Sequence, residues 1–318
     1  MSNNKPLEKN SFLKFFEIYK DKFIKILGLN AIFFVVCLVL FLVIFFAGYL
    51  VNTFMGGISN LAVSLLFLPL ILLAPLVSAI IKMCRDYVRE VPGFFLEDFK
   101  NAFKSNFKQS IITGIIQYVL IWLLIMAIYF YYSISPEYGL MRTIGLGVCI
   151  FAAVVLVIMS YYVYMMIVTL DLKLKEIYKN AAIFTFLCLV RNVLLTVILV
   201  VWIALAGFFA MTAIYSQNGF VYGFFFAFIM TLFFGFIFYT VAFFTYPPIK
   251  KYVLDPYYEQ HPEQSSASVT GKVDASKVKQ NFEQEEKELP EFVYHNGKMV
   301  HRSAFEQEQM FTDVSEDE

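Results

Sequence analysis

The chain of 318 residues is 59% hydrophobic, 19% aromatic and only 16% charged, and its 25 basic and 25 acidic residues cancel. Soluble domains run at roughly 45–50% apolar and about 25% charged, so this composition argues against a water-soluble enzyme. With no basic excess to meet phosphate, it also argues against a nucleic-acid partner.

In chain order, the first feature is a polar, lysine-rich segment containing FFEIYKDKFIKI at residues 15–26. Phe12, Phe16, Tyr19, Phe23 and Ile26 recur at steps of three or four, the pattern of an amphipathic helix lying in a membrane interface. An apolar run at 31–51 follows. Its polar leader and its length both exceed those of a cleaved signal, so a retained anchor is expected. A second run covers 61–81 and contains Pro69 and Pro75. The next polar segment reads DFKNAFKSNFKQS at 98–110, with Phe95, Phe99, Phe103 and Phe107 again at helical spacing. Runs at 111–132 and 144–170 come next. A third basic segment, KLKEIYKNAAIFT at 173–185, leads to runs at 193–215 and 221–241.

None of the six runs holds a charged residue, and crossing about 30 Å of hydrocarbon takes roughly 20 helical residues. Barrel strands would be about half as long and would alternate. The expected fold is therefore all-α, a polytopic bundle of six transmembrane helices arranged as three hairpins, each preceded by an interfacial amphipathic helix. Aligning the basic segments on Tyr19-Lys20, Phe103-Lys104 and Tyr178-Lys179 makes the three hairpins candidate repeats. Lys20, Lys104, Lys179, Phe99, Phe103 and Phe107 are the expected lipid contacts, with the lysines reaching toward headgroups.

From the N-terminal segment to the residues after the last run, the connections hold 6, 0, 6, 1, 4, 0 and 2 Lys and Arg. This alternation places both termini on the cytoplasmic side of a plasma membrane. Residues 1–254, the membrane domain, carry 19 basic against 10 acidic residues, whereas residues 255–318 carry 6 against 15. The chain thus reads as a basic membrane body with an acidic cytoplasmic tail.

The stretch LPLILLAPLVSAIIKMCRDYVREVPGFFLEDFKNAFKSNFKQS resembles the YesL family of bacterial membrane proteins. The matching positions are Pro75, Lys82, Arg85, Glu90, Phe94, Phe95, Phe99, Ala102, Phe103, Lys104, Asn106, Phe107, Lys108 and Gln109. The likeness extends more weakly over residues 10–255, and the acidic tail departs from the family pattern. The resemblance implies a multi-span protein associated with carbohydrate uptake and utilisation in Gram-positive bacteria. It supplies no catalytic residues.

Chemistry is sparse. Ionisable groups inside spans usually mark ion or substrate paths, and the six runs have none; Gln117 is their most polar deep residue. Arg191 and Asn192 stand at a span entrance. Cys37, Cys84, Cys149 and Cys188 form no CxxC or Cys/His cluster, so neither a metal nor a cofactor is expected. Asp86, Glu90, Glu97 and Asp98 interleave with Lys82, Arg85, Arg89 and Lys100, which reads as a salt-bridged helix face rather than an acid/base pair. Tyr129, Tyr131, Tyr132, Tyr161, Tyr162 and Tyr164 read as aromatic belts. No catalytic residue and no enzyme are expected.

In the tail, residues 256–290 have the composition of a disordered linker. EFVYHNGKMVHR then places Asn296-Gly297 between alternating apolar residues, a hairpin signal over 291–302. Phe292, Tyr294, Asn296, Gly297 and Met299 are the expected elements of a docking segment, for a partner or for the basic cytoplasmic face. The expected function is a non-enzymatic accessory to carbohydrate uptake or envelope processes, working through the bilayer and a transporter or signalling partner. The alternative is a small-solute facilitator.

Overall fold

The structure is a computed structural model that describes residues 11–55, 65–134, 138–256, 292–295 and 298–301. Helix α1 (Ser11–Asp21) passes through a one-residue break at Lys22 into α2 (Phe23–Met55). A 3₁₀ turn, Leu68–Leu72, opens α3 (Leu73–Val88). Then come α4 (Phe95–Ser133), α5 (Gly139–Thr169), α6 (Leu174–Leu187) and α7 (Leu189–Ser216). The last stretch joins α8 (Gly219–Phe228), a π turn at Ile229–Phe233, α9 (Phe234–Ile249) and a second π turn at Lys250–Leu254. Six helical stretches are long and apolar enough to span a membrane: Phe23–Thr53, Leu68–Val88, Phe95–Ser133, Gly139–Thr169, Leu189–Ser216 and Gly219–Leu254. The body is a multi-pass, all-helical membrane protein.

Pro69 falls in the first two positions of the 3₁₀ turn, and Pro75 falls in the first turn of α3. At such positions a backbone N–H has no intrahelical partner to lose. Helix α3 continues past residue 81 to Val88. It stops where Glu90 turns left-handed (φ 58°), with Glu90 N–H donating to Tyr87 O and Val91 N–H to Asp86 O. That is a Schellman ending built on a residue other than glycine.

The three basic segments do not fold alike. The first and third form their own helices, α1 and α6. The second is the start of α4, a single helix of 39 residues. Nothing in Phe95–Ser133 breaks it, since the stretch lacks proline and its one glycine, Gly114, lies where α4 meets α3. A Cβ at Gly114 would come within 2.7 Å of the Ala74 Cβ and 3.1 Å of Ile71 O. The small residue sets how closely the two helices approach.

Helix α3 is the central element, packing on α2, α4, α5 and α9. Its span window is 56% buried, against 11–17% for the other five. Burial is also uneven along the helices. Described α2 side chains are buried at Ile26, Leu29, Asn30, Phe33 and Leu40, and none are buried after that; α4 has none buried after Gly114; α5 is densely buried only from Ile158 onward. The core therefore lies at the basic end, where 82–110 and 171–192 meet. The opposite halves are less buried, although Gly145 still packs α5 against Tyr131 of α4 there. Helix α1 docks into this core rather than lying free, with Phe15 stacked among Tyr19, Phe236, Tyr239 and Phe243.

In the acidic tail β1 (Phe292–His295) pairs antiparallel with β2 (Lys298–His301), Phe292 opposite His301 and His295 opposite Lys298. Asn296, Gly297 and the linker at 257–291 lie outside the described residues. So do the side chains of Phe292, Tyr294 and Met299.

Candidate functional site

The polar residues of the bundle converge on its basic end. Arg85, in the last turn of α3, is 0% exposed. Its Nε and Nη2 donate to Asp86 Oδ1 at 2.9 and 2.7 Å, and its Nη1 donates to Val168 O. Val168 lies in the last turn of α5, whose carbonyls have no intrahelical partner and form the negative end of the helix dipole. Lys82 Nζ donates to the other Asp86 oxygen at 3.1 Å. A buried guanidinium is tolerable only when paired and fully bonded, and here one carboxylate and one helix end meet that need.

Asn192 does the same for α6. Its Nδ2 donates to Phe184 O (3.2 Å) and Thr185 O (2.9 Å), both in the final turn of that helix, and its Oδ1 accepts from Tyr162 at 2.7 Å. Asn30, buried in α2, serves the π turn of the last span. Its Nδ2 donates to Ile229 O at 3.1 Å and to Met230 O, while its Oδ1 accepts from Gly235 N–H at 2.8 Å. Trp202 of α7 donates to Phe233 O at 3.1 Å. A π turn displaces backbone groups from their α-helical partners, and in hydrocarbon these must be re-bonded by neighbouring helices. A Cβ at Gly235 would lie 2.9 Å from Ile26 Cγ2, so glycine is what lets α9 come close enough for Asn30 to reach.

Gln117 accepts from Tyr164 at 2.7 Å, and Gln109 Nε2 donates to Leu172 O at 2.9 Å. Tyr162 and Tyr164 thus bond between helices. Tyr129 and Tyr132 are exposed near the C-terminal end of α4, with Arg142 over the Tyr132 ring at 5.1 Å. Tyr19, on α1 outside the spans, is pushed up to about 12 by burial and then by neighbouring Cys84.

The expected lipid contacts are spread over separate helices. Lys20 lies on α1, Lys104 on α4 and Lys179 on α6, all exposed. Phe99 and Phe103 are half-buried and Phe107 is exposed, with Phe103 and Phe107 rings 5.5 Å apart. The buried stripe of that helix is instead Ala102, Asn106, Ser110, Thr113 and Gly114. Of the acidic group, Asp86 holds Arg85 and Lys82, and Glu90 lies 3.5 Å from Lys14. Cys84 and Cys149 are buried and Cys37 and Cys188 half-buried, and the described residues hold no cluster of three His, Cys, Asp or Glu.

The α3–α4 pair with its tight turn is the hub of this arrangement, and it is also where the chain has a recognised likeness. Residues 49–128 match the family of proteins of unknown function DUF624. No curated protein and no solved structure matches the chain. The DUF624-like stretch contains Arg85, Asp86, the Glu90 turn and Gly114. Asn30, Val168, Asn192 and the π turn lie outside it. It overlaps the segment that carries the YesL resemblance.

Sequence reasoning passed over Arg85 as one charge among many on a solvated face. The available signal was its place within an apolar run, AIIKMCRDYV, with an aspartate immediately following.

Proposed function

We propose that the chain is a non-enzymatic accessory of the plasma membrane, with both termini cytoplasmic, that binds a transporter or signalling protein of a carbohydrate-uptake or envelope system. One observation carries this reading. The buried polar groups of the bundle, Arg85, Asn30 and Asn192, are bonded to helix ends and to a π turn, so their chemistry is architectural. Meanwhile α2, α4 and α7 present long apolar faces, with Phe41, Phe45, Ile121, Leu123, Val200 and Val201 all exposed. Such faces suit lipid and the helices of a partner. The carbohydrate association rests on the resemblance alone. The acidic tail is assigned the docking role.

Crosslinking in native membranes, followed by identification of the captured proteins, tests the proposal. A transporter or signalling protein is expected, and it should be lost when residues 256–318 are deleted. Vesicles carrying the purified protein should stay impermeable to a panel of sugars. Selective sugar flux would overturn the accessory reading in favour of a facilitator.

A further inference from the structure

At the turn between α3 and α4 a pocket of about 40 Å³ opens on the basic end, with Lys25, Lys82, Asp86, Tyr87 and Asp98 among its walls. That space suits a group the size of a water or an ammonium ion. Two of the charges are already matched, since Asp86 is held by Lys82 and Arg85. The other two are not paired with each other: no ion pair joins Lys25 to Asp98 among the described residues. Lys25 instead donates to Gly93 O at 3.2 Å and lies 6.0 Å from the Tyr87 ring centre. Tyr87 is 4% exposed, yet its hydroxyl has no hydrogen-bond partner. A buried hydroxyl left unbonded costs about 1–3 kcal/mol.

The pocket thus offers one anion and one cation around an ammonium-sized space, and Tyr87 in its wall carries an orphaned hydroxyl. Phe95 lines the pocket, and its neighbours in sequence are Phe94, 79% exposed, and Leu96, 74% exposed. Two bare apolar side chains beside a charged recess suit a turn dipped into the headgroup layer. From this juxtaposition we infer that the pocket binds a zwitterionic lipid headgroup bearing a primary ammonium, such as phosphoethanolamine. The ammonium enters against the Asp98 carboxylate, a shift of the Tyr87 ring brings its orphaned hydroxyl oxygen to it, and the phosphate stays at the mouth with Lys25. A trimethylammonium group, three methyls larger, crowds the space, and a headgroup with no cation leaves Asp98 unmatched.

The test uses the full chain in nanodiscs containing equal parts phosphatidylethanolamine, phosphatidylcholine and phosphatidylglycerol, with retained lipid read by native mass spectrometry. Phosphatidylethanolamine should be retained about tenfold over either of the others, the scale of one charge-assisted contact. Asp98→Asn should bring the ratio close to one. Tyr87→Phe should lower it without loss of thermal stability, which keeps the test open if Asp98→Asn folds poorly. Equal retention of the three lipids, preference for phosphatidylglycerol, or a ratio unchanged in both variants would overturn the inference. Soluble O-phosphoethanolamine should fail to displace the lipid; displacement at matched occupancy would overturn the lipid source in favour of the free headgroup.

Discussion

Arg85 is the residue whose chemistry most constrains the fold. Removing one partner of a buried charged pair leaves the other uncompensated, at about 3–5 kcal/mol. Arg85→Met should therefore destabilise the purified protein by about that much in thermal unfolding, because Val168 O loses its donor and Asp86 keeps only Lys82. Arg85→Lys should recover part of the loss, since an ammonium is a point donor without the planar fork that reaches Val168 and Asp86 together. If Arg85→Met unfolds at the wild-type temperature, the guanidinium is not holding α3 to α5. Tyr19 gives a second test. Its folded-state value lies above the unfolded one, so its stabilising effect is complete below about pH 10 and is lost as pH rises toward about 12. The thermal unfolding temperature should fall over that window as α1 leaves α9. Tyr19→Phe should shift or flatten the profile, whereas an unchanged profile would assign alkaline release to another group.

Asn30 and the π turn act as one device. A π turn amounts to one extra residue in an α-helix, and Asn30 meets the backbone groups it displaces. Asn30→Leu should cost about 2–3 kcal/mol through unbonded groups in the membrane. Deleting one residue within 229–233 would restore α-helical bonding and should be harmful alone but compensating in the Asn30→Leu background. Additive losses in the double variant would count against the coupling; thermal unfolding of all three variants decides it. The element scale is also where sequence was least legible. Amphipathic spacing predicts a helix at Phe95–Phe107, and a helix is there, but spacing alone gives no sign that it runs on without a break to Ser133. The phenylalanine stripe marks an apolar face, yet the stripe that packs on α3 is Ala102, Asn106, Ser110 and Gly114. Between helices in a membrane, close approach favours small residues over bulky ones. Pairings such as Asn30 with Gly235 span some two hundred positions, and no local pattern announces them.

For the whole molecule, apolar length was enough to give six membrane helices, because lipid leaves a chain few other ways to bond its backbone. Charge placement gave an orientation, which remains a proposal with a direct test. Single cysteines introduced at Lys20, Lys104 and Lys179 should be labelled from one side of sealed vesicles, and one at Arg142 from the other. Labelling of all four from the same side would refute the orientation. The candidate site was hardly legible. The pocket depends on a turn that brings Lys25 of α2 against Tyr87 and Asp98, and only the folded bundle supplies that meeting.

The uneven burial has a mechanical consequence. Where α2 to α9 interlock at the basic end, a displacement of one helix is opposed by hydrogen bonds and close packing on several sides. Beyond Leu40 on α2 and Gly114 on α4 no described side chain is fully buried, and fewer contacts oppose it. The membrane body is therefore stiffest at its basic end, and the far halves of α2 and α4 should follow the pressure and thickness of the leaflet around them. Thinning the bilayer should tilt those far halves while leaving the Arg85–Val168 distance fixed, so strain in the membrane reaches the basic end only as a torque at its rim.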